Sequence, residues 1–243
     1  LPMYLGPDDI QLSTREPIKD VARTLSRYVD GVVVRMFRHA EVEEFAAYAS
    51  VPVINGLSDL HHPCQALADL FTIQERFGKI AGRTIAYIGD GNNVLHSLAQ
   101  GAVALGAHLR VATPATYKPQ ASIWAQVQRQ AKRRHVSVTW SQEPETAVHG
   151  ADVVYTDVWT SMGFERERQA RQRAFRGFQV TKQLLRRAKP TAIVLHCLPA
   201  HRGEEIEEAV LEGPRAVVFD QAENRLHTQK ALLLMVYGTR GVS

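Results

Sequence analysis

The chain has 243 residues, with 29 Lys and Arg against 25 Asp and Glu, for a formal charge of +4. That length allows one large α/β domain or two modest ones, and 45% apolar with 22% charged residues excludes a disordered or fibrous polypeptide. No apolar run reaches the ~18 residues of a membrane span, the opening residues lack the pattern of a secretory leader, and two cysteines, Cys64 and Cys197, cannot form a disulfide scaffold and fit a reducing cytoplasm.

In chain order, residues 31–35 are a β-branched run ending in Arg35, and 41–49 place Val42, Phe45, Ala46 and Ala49 on one helical face. Residues 51–55 predict a strand with its proline at the entry. A long helix opens at His62-Pro63, carries Leu67, Leu70, Phe71 and Ile73, and stops at Gly78. Residues 84–90 predict a buried strand, 94–105 a small-residue helix closed by Gly106, 108–112 a strand, about 122–134 a helix and 136–139 a short strand. Strands over 152–156, 192–196 and 216–219 follow, and a helix from about 224 to 237 closes the chain. The charged, proline-free stretch 165–176 reads equally as an exposed helix or as a mobile loop over a site.

This alternation predicts an α/β protein of two domains. Each has a mainly parallel sheet flanked by helices, and a long helix joins them. The positive excess gathers at 132–134 and 166–176 without interleaved aromatics. That fits a solvated face or steering of an anionic substrate better than nucleic-acid binding.

The most informative segment is His196-Cys197-Leu198-Pro199 with His201 and Arg202, at the carboxyl end of an apolar strand. In open α/β sheets, ligands bind at that end. Cys197 invites a nucleophile reading with His196 or His201 as base. Neighbouring strand residues point to opposite faces, however, so His196 is a poor partner and a binding or gating role fits better. Gly89-Asp90-Gly91-Asn92-Asn93 sits between a strand and a helix but lacks the third glycine of a dinucleotide loop, and no acid ends the next strand. Its side-chain amides suit a zwitterionic ligand. His62 and Gln65, three apart at a helix start, suit an anion or a developing oxyanion, with a cap plus surface histidine as the plain alternative. Arg35 at a strand end suits an anion, or a surface ion pair. Asp157, followed by Ser161 and Met162, suits a ligand ammonium, or a helix N-cap. A zinc site from His62, Cys64, His196 and Cys197 lacks paired ligand spacing.

Together these segments, with Glu223-Asn224-Arg225, resemble the aspartate/ornithine carbamoyltransferase family over nearly the whole chain. His196-Cys197-Leu198-Pro199 and the 157–163 loop resemble its ornithine-using side, because the aspartate-using side has His-Pro-Leu-Pro. The resemblance implies transfer of the carbamoyl group of carbamoyl phosphate to the δ-amine of L-ornithine, giving citrulline and phosphate with no metal or organic cofactor. It implies catalytic roles for Arg35, His62 and Cys197. It implies carbamoyl-phosphate binding by Gln11, Arg35, His62, Gln65, Cys197, Leu198 and Arg225, and ornithine binding by Asn93, Asp157, Ser161 and Met162. Residues 1–72 are then the remainder of a carbamoyl-phosphate-binding domain, 73–220 an ornithine-binding domain, and 221–243 a C-terminal helix returning to the first. A cytoplasmic homotrimer, with Gln11 reaching a neighbouring subunit's site, is also implied. The family's Ser-Thr-Arg-Thr-Arg phosphate loop has no counterpart here, since Ser13-Thr14-Arg15-Glu16 precedes a stretch that follows that loop in the family. The chain, which starts at Leu1, therefore reads as lacking the family's N-terminal portion. The alternatives are a non-catalytic ligand-binding or assembly subunit, or a transferase using putrescine or N-acetylornithine.

Overall fold

The computed structural model describes residues 1–10, 16–160 and 165–238. Gln11, residues 13–15, Ser161 and Met162 lie outside that set. The chain divides into two units, Leu1–His62 and Pro63–Ser243.

In the first unit, a short helix α1 (Pro7–Ile10) precedes α2 (Ile18–Leu25), β1 (Val32–Arg35), α3 (His39–Tyr48) and β2 (Val53–Leu57). The two strands pair in parallel, Val32 opposite Val53, with an irregularity between Val34 and Arg35. Their core is small: Ile18, Val21, Ala22, Val34, Met36, Val42 and Phe45. Within β1 only Val34 is buried. Val32 is half-buried, and Val33 and Arg35 are exposed. Pro52 precedes β2 and accepts from the Val32 N–H through its carbonyl (2.9 Å).

The second unit begins with α4 (Pro63–Phe77) and carries a five-stranded parallel sheet. The strands are β3 (Thr84–Ile88), β4 (His108–Ala112), β5 (Val138–Ser141), β6 (Val153–Thr156) and β7 (Ile193–His196), in the order β5-β4-β3-β6-β7. The helices are α5 (Asn93–Ala104), α6 (Ala121–Arg134), α7 (Pro144–Val148), α8 (Arg168–Ala174), α9 (Lys182–Leu185), α10 (Glu208–Leu211) and α11 (Val218–Tyr237). Strand order reverses between β3 and β6, which places a crevice at their carboxyl ends. Ala86, Ile88, Ala112, Val154 and Val194 face one cluster with α7, α9 and Phe175. By strand alternation Ile85, Tyr87, Tyr155 and Leu195, all fully buried, point to the other face. Both faces are covered, so these strands read as unbroken apolar runs.

Three expected boundaries move. The strand expected at 136–139 is β5, Val138–Ser141, because Val136 donates its N–H to the Ala131 carbonyl and finishes α6 behind a left-handed His135. The strand expected at 51–55 is β2, two residues later. Residues 216–219 are not a strand: Ala216 makes one bridge to Val194, and α11 starts at Val218 rather than 224. The run from Gln221 to Leu226 is rich in helix formers and carries the chain into helix at once. The short helices α2, α7, α9 and α10 were not expected.

Asp152, buried at the start of the sheet, accepts from the Thr84 N–H (2.9 Å), Arg83 Nη1 (3.1 Å) and Lys189 Nζ (2.9 Å). Burial pushes its carboxyl up, but the Thr84, Lys189 and Arg83 donors outweigh burial and hold it below the usual range. Asp152→Ala leaves three donors unmatched and should cost about 2–3 kcal/mol in urea unfolding at neutral pH. A carboxyl held low stabilises the fold above its unfolded pKa. The difference from wild type should therefore shrink as pH falls below about 4.

Candidate active site

The carboxyl ends of β3, β6 and β7 bring three segments together. Asp157 follows β6, Asn92 caps α5 after β3, and Cys197 follows β7. Asp157 Oδ1 accepts from the Cys197 thiol (2.9 Å) and from the Val158 N–H (2.8 Å). Its Oδ2 accepts from Asn92 Nδ2 (2.7 Å). Asn92 Oδ1 meanwhile accepts from the N–H groups of Val94 and Leu95, satisfying two of the orphan donors at the start of α5. Tyr87 donates its O–H to the same oxygen (3.2 Å), and its ring stacks on Tyr155 at 5.6 Å. Asn93, expected to bind the amino-acid substrate, is the first residue of α5 and half-buried beside this cluster. Of the two amides at that turn, Asn92 makes the bond to Asp157.

Burial pushes the Cys197 thiol well above its ordinary value, and the Asp157 carboxylate beside it adds to the shift. The group is therefore a protonated hydrogen-bond donor, not a thiolate nucleophile. His196 does not act as its base. The ring Nδ1 accepts from the Leu198 N–H (2.9 Å), and Nε2 faces Glu205 Oε1 (3.1 Å). A ring nitrogen that accepts from a backbone N–H carries no proton, so the proton sits on Nε2. Glu205 Oε1 also takes the His201 N–H (2.6 Å). This buried dyad holds the loop in which Leu198 adopts φ +56, a conformation that branched apolar residues take only when held.

A second cluster lies between α4 and α11. Arg225 Nη1 donates to Gln65 Oε1 (2.6 Å). Gln65 Nε2 donates to Asp69 (2.8 Å), which also accepts from Gln221 Nε2 (2.6 Å) and the Tyr155 O–H (3.1 Å). Gln221 Oε1 in turn accepts from the His196 N–H (2.9 Å). Burial lifts the Asp69 carboxyl to about 7, against the pull of its three donors. Gln65 and Arg225, expected to act on one substrate, are in direct contact. Asp69, Tyr155 and Gln221 connect them to the strand that carries His196.

In the first unit, Arg35 stands exposed at the end of β1, and His62 is buried at the unit's last position. Gln11, Ser161 and Met162 are outside the described residues.

The Gly89–Gly91 turn is explained by packing. A Cβ on Gly91 would overlap the carbonyl of Lys118 and the nitrogen of Pro119, and the Gly91 N–H donates to the Tyr117 carbonyl (2.9 Å). The glycine admits another backbone there, in place of a pyrophosphate. Of the two readings of 165–176, the exposed helix holds for most of α8, where 168–170, 172 and 173 are exposed, with one residue as the exception. Within α8, Arg171 is buried against Asp90 (2.6 Å) and the Trp159 carbonyl (3.0 Å), with its guanidinium over the Tyr117 ring. Burial raises the Asp90 carboxyl to about 6, and Arg171 opposes that rise. Among the described residues, close groupings of candidate metal ligands are Asp157 with His196 and Cys197, and His201 with Glu204 and Glu205. Neither includes Cys64, and both His196 ring nitrogens are already engaged.

A strand-tip carboxylate, an amide cap and a thiol meet at the reversal of a parallel sheet, the place where open α/β enzymes bind their ligands. The chain belongs to the aspartate/ornithine carbamoyltransferase family: residues 1–75 match the family model of the carbamoyl-P binding domain, and 81–236 that of the Asp/Orn binding domain. It is 53% identical over 236 residues to an ornithine carbamoyltransferase of Thermococcus kodakarensis, covering 97% of this chain and 75% of that one. It is 52% identical to the anabolic ornithine carbamoyltransferase of Pyrococcus furiosus, over 97% of this chain and 75% of that one. The solved structure of the Pyrococcus furiosus ornithine carbamoyltransferase superposes with a TM-score of 0.94 at 51% identity, covering 98% of this chain and 76% of that one.

A protonated, acid-bonded thiol resists alkylation. Cys197 should react with iodoacetamide at pH 8 more slowly than free cysteine, as followed by peptide mass spectrometry. Asp157→Asn removes the adjacent negative charge and should speed that reaction.

Proposed function

We propose that the chain transfers the carbamoyl group of carbamoyl phosphate to the δ-amine of L-ornithine, yielding L-citrulline and phosphate. The observation that carries this reading is the Asp157 carboxylate, held at the β6 tip by Asn92 and facing Cys197. It offers a fixed negative charge for a ligand ammonium inside a site of family type. Its relatives' printed names, ornithine carbamoyltransferase, support the choice of amine.

The δ-amine nitrogen attacks the carbamoyl carbon, and the bond from that carbon to the phosphate oxygen breaks. The nitrogen loses its extra proton, and phosphate carries away the bonding pair. Arg35 and His62 polarise the carbonyl oxygen as the tetrahedral centre forms. Together with Gln65 and Arg225 they bind carbamoyl phosphate, and the Leu198 carbonyl receives its amide N–H. Asn93, Asp157, Ser161 and Met162 bind ornithine. Cys197 sits as a neutral thiol near the ornithine amines. Positioning two small substrates supplies much of the acceleration. Since a δ-ammonium cannot attack, activity rises toward basic pH.

Residues 1–72 serve the carbamoyl-phosphate side, 73–220 the ornithine side, and 221–243 return to the first. Support for the division between the two sides comes from the family-model boundary between 75 and 81. The protein works as a cytoplasmic homotrimer in which Gln11 reaches a neighbouring site. The anabolic name of one relative supports a biosynthetic role.

Citrulline formation with ornithine, putrescine and N-acetylornithine in parallel tests this. Saturation by ornithine alone is expected. Saturation by another amine reassigns the substrate. No turnover, with norvaline still bound in calorimetry, points to a non-catalytic subunit. Asp157→Asn should raise the ornithine KM about tenfold or more, the loss of a charge-assisted bond. Arg35→Ala should weaken carbamoyl-phosphate binding and turnover together.

A further inference from the structure

Glutamine has two chemically different ends, and which end faces which neighbour decides what it can bind. Gln65 and Gln221 both turn their NH2 ends to one buried acceptor, Asp69. Their carbonyl oxygens consequently point outward. The Gln65 oxygen meets Arg225 (2.6 Å), and the Gln221 oxygen meets the backbone N–H of His196 (2.9 Å). Asp69 is fully buried, as is Gln221, while Gln65 is nearly so. Tyr155, one strand position from Thr156 and two from Asp157, donates its O–H to the second oxygen of Asp69 (3.1 Å).

We infer that Asp69 is a positioning residue for both halves of the reaction centre, fixing the side-chain orientation of Gln65 against Arg225 and of Gln221 against the strand end that leads to Cys197. The inference rests on the carbamoyl-transfer reading for what those two arms do. Its geometric part stands apart from that reading. If Gln65 were reversed, its NH2 would meet the Arg225 guanidinium, donor against donor. If Gln221 were reversed, its NH2 would meet the His196 N–H. The carboxylate at position 69 adds a second penalty to each reversal, because an amide oxygen would then face it, acceptor against acceptor.

The groups that face Asp69 are, from its own helix, Gln65; from β6, Tyr155; and from α11, Gln221 and, at longer range, Arg225. Tyr87, Asp157 and Cys197 lie in the same buried field. Protonation of Asp69 turns one of its oxygens into a donor, so one of the converging N–H or O–H groups loses its acceptor. Acid should loosen the arrangement, and basic pH should hold it.

Asp69→Asn is the test variant. Asparagine presents one acceptor and one NH2 where the three donors need a carboxylate, so an amide must turn. We expect the KM values for carbamoyl phosphate and ornithine to rise, each about tenfold, as for loss of a bond to a charged group. A merely structural role would lower the Tm and the active fraction, and hence kcat, while leaving both KM values in place. That result would overturn the inference. A second measurement needs neither turnover nor the variant: the side-chain amide 15N resonances of Gln65 and Gln221 in the wild-type chain. They should shift together with one midpoint between about pH 9 and about pH 5, a range that brackets a carboxyl titrating near neutrality. Amides that titrate separately, or that stay fixed while the Asp69 carboxyl carbon itself titrates, overturn the inference. A wild-type chain without turnover would sink the transfer reading alone, and the amide titration would still decide the role of Asp69.

Discussion

Asp157 accepts hydrogen bonds from its own neighbour and from two places that are distant in sequence. Asn92 comes from the start of α5, Cys197 from the end of β7, and Val158 from its own strand end. Each donor belongs to a different part of the second unit, so one carboxylate fixes the relative position of two strand tips and a helix start. The position matters because β3 and β6 flank the reversal of strand order, where a parallel sheet opens a crevice. The charge also sets the chemistry of its neighbour. A thiol placed beside a carboxylate in a desolvated setting keeps its proton, so Cys197 can donate but cannot attack.

The same logic extends inward. Asp157, Asp90 and Asp69 are all buried acids, and each is matched by a different kind of partner: an amide and a thiol, an arginine, and two amides with a phenol. Buried polar networks are costly when half-satisfied and specifying when complete. Here the complete state includes donor-acceptor polarity as well as position. In the His196–Glu205 dyad each ring nitrogen is likewise assigned by what it faces, although Glu205 Oε2 has no hydrogen-bond partner.

The fold was legible where periodicity was strong. The strands at β3, β4 and β6 and the helix α4 lie close to where their apolar patterns put them. Helix α2 carries Ile18, Val21, Ala22 and Leu25 at helical spacing, yet Pro17 gives it no side-chain cap to announce it. Helices α7, α9 and α10 are four or five residues long, too short for a period to show. At 216–219 local β propensity lost to the helix-forming residues that follow. In the site, Gln65 and Arg225 were expected on one substrate and are in contact, while Asp157 and Cys197, expected on different substrates, are in contact as well. The supporting residues were not read. Asp69 carried a signal, an acid among the apolar positions of α4 four residues after Gln65. Tyr155 and Gln221 carried none, because what makes them matter is a contact across 66 to 152 residues of sequence.

The last helix also says something about synthesis. Gln221, Asn224 and Arg225 meet side chains about 150 positions earlier in the chain. While the polypeptide is still on the ribosome, α4 is complete and the sheet is mostly translated, but Asp69 lacks one of its three donors. Gln65 likewise lacks the cation that would hold its oxygen. The buried cluster around Asp69 thus closes only once α11 has been made and has folded back onto α4.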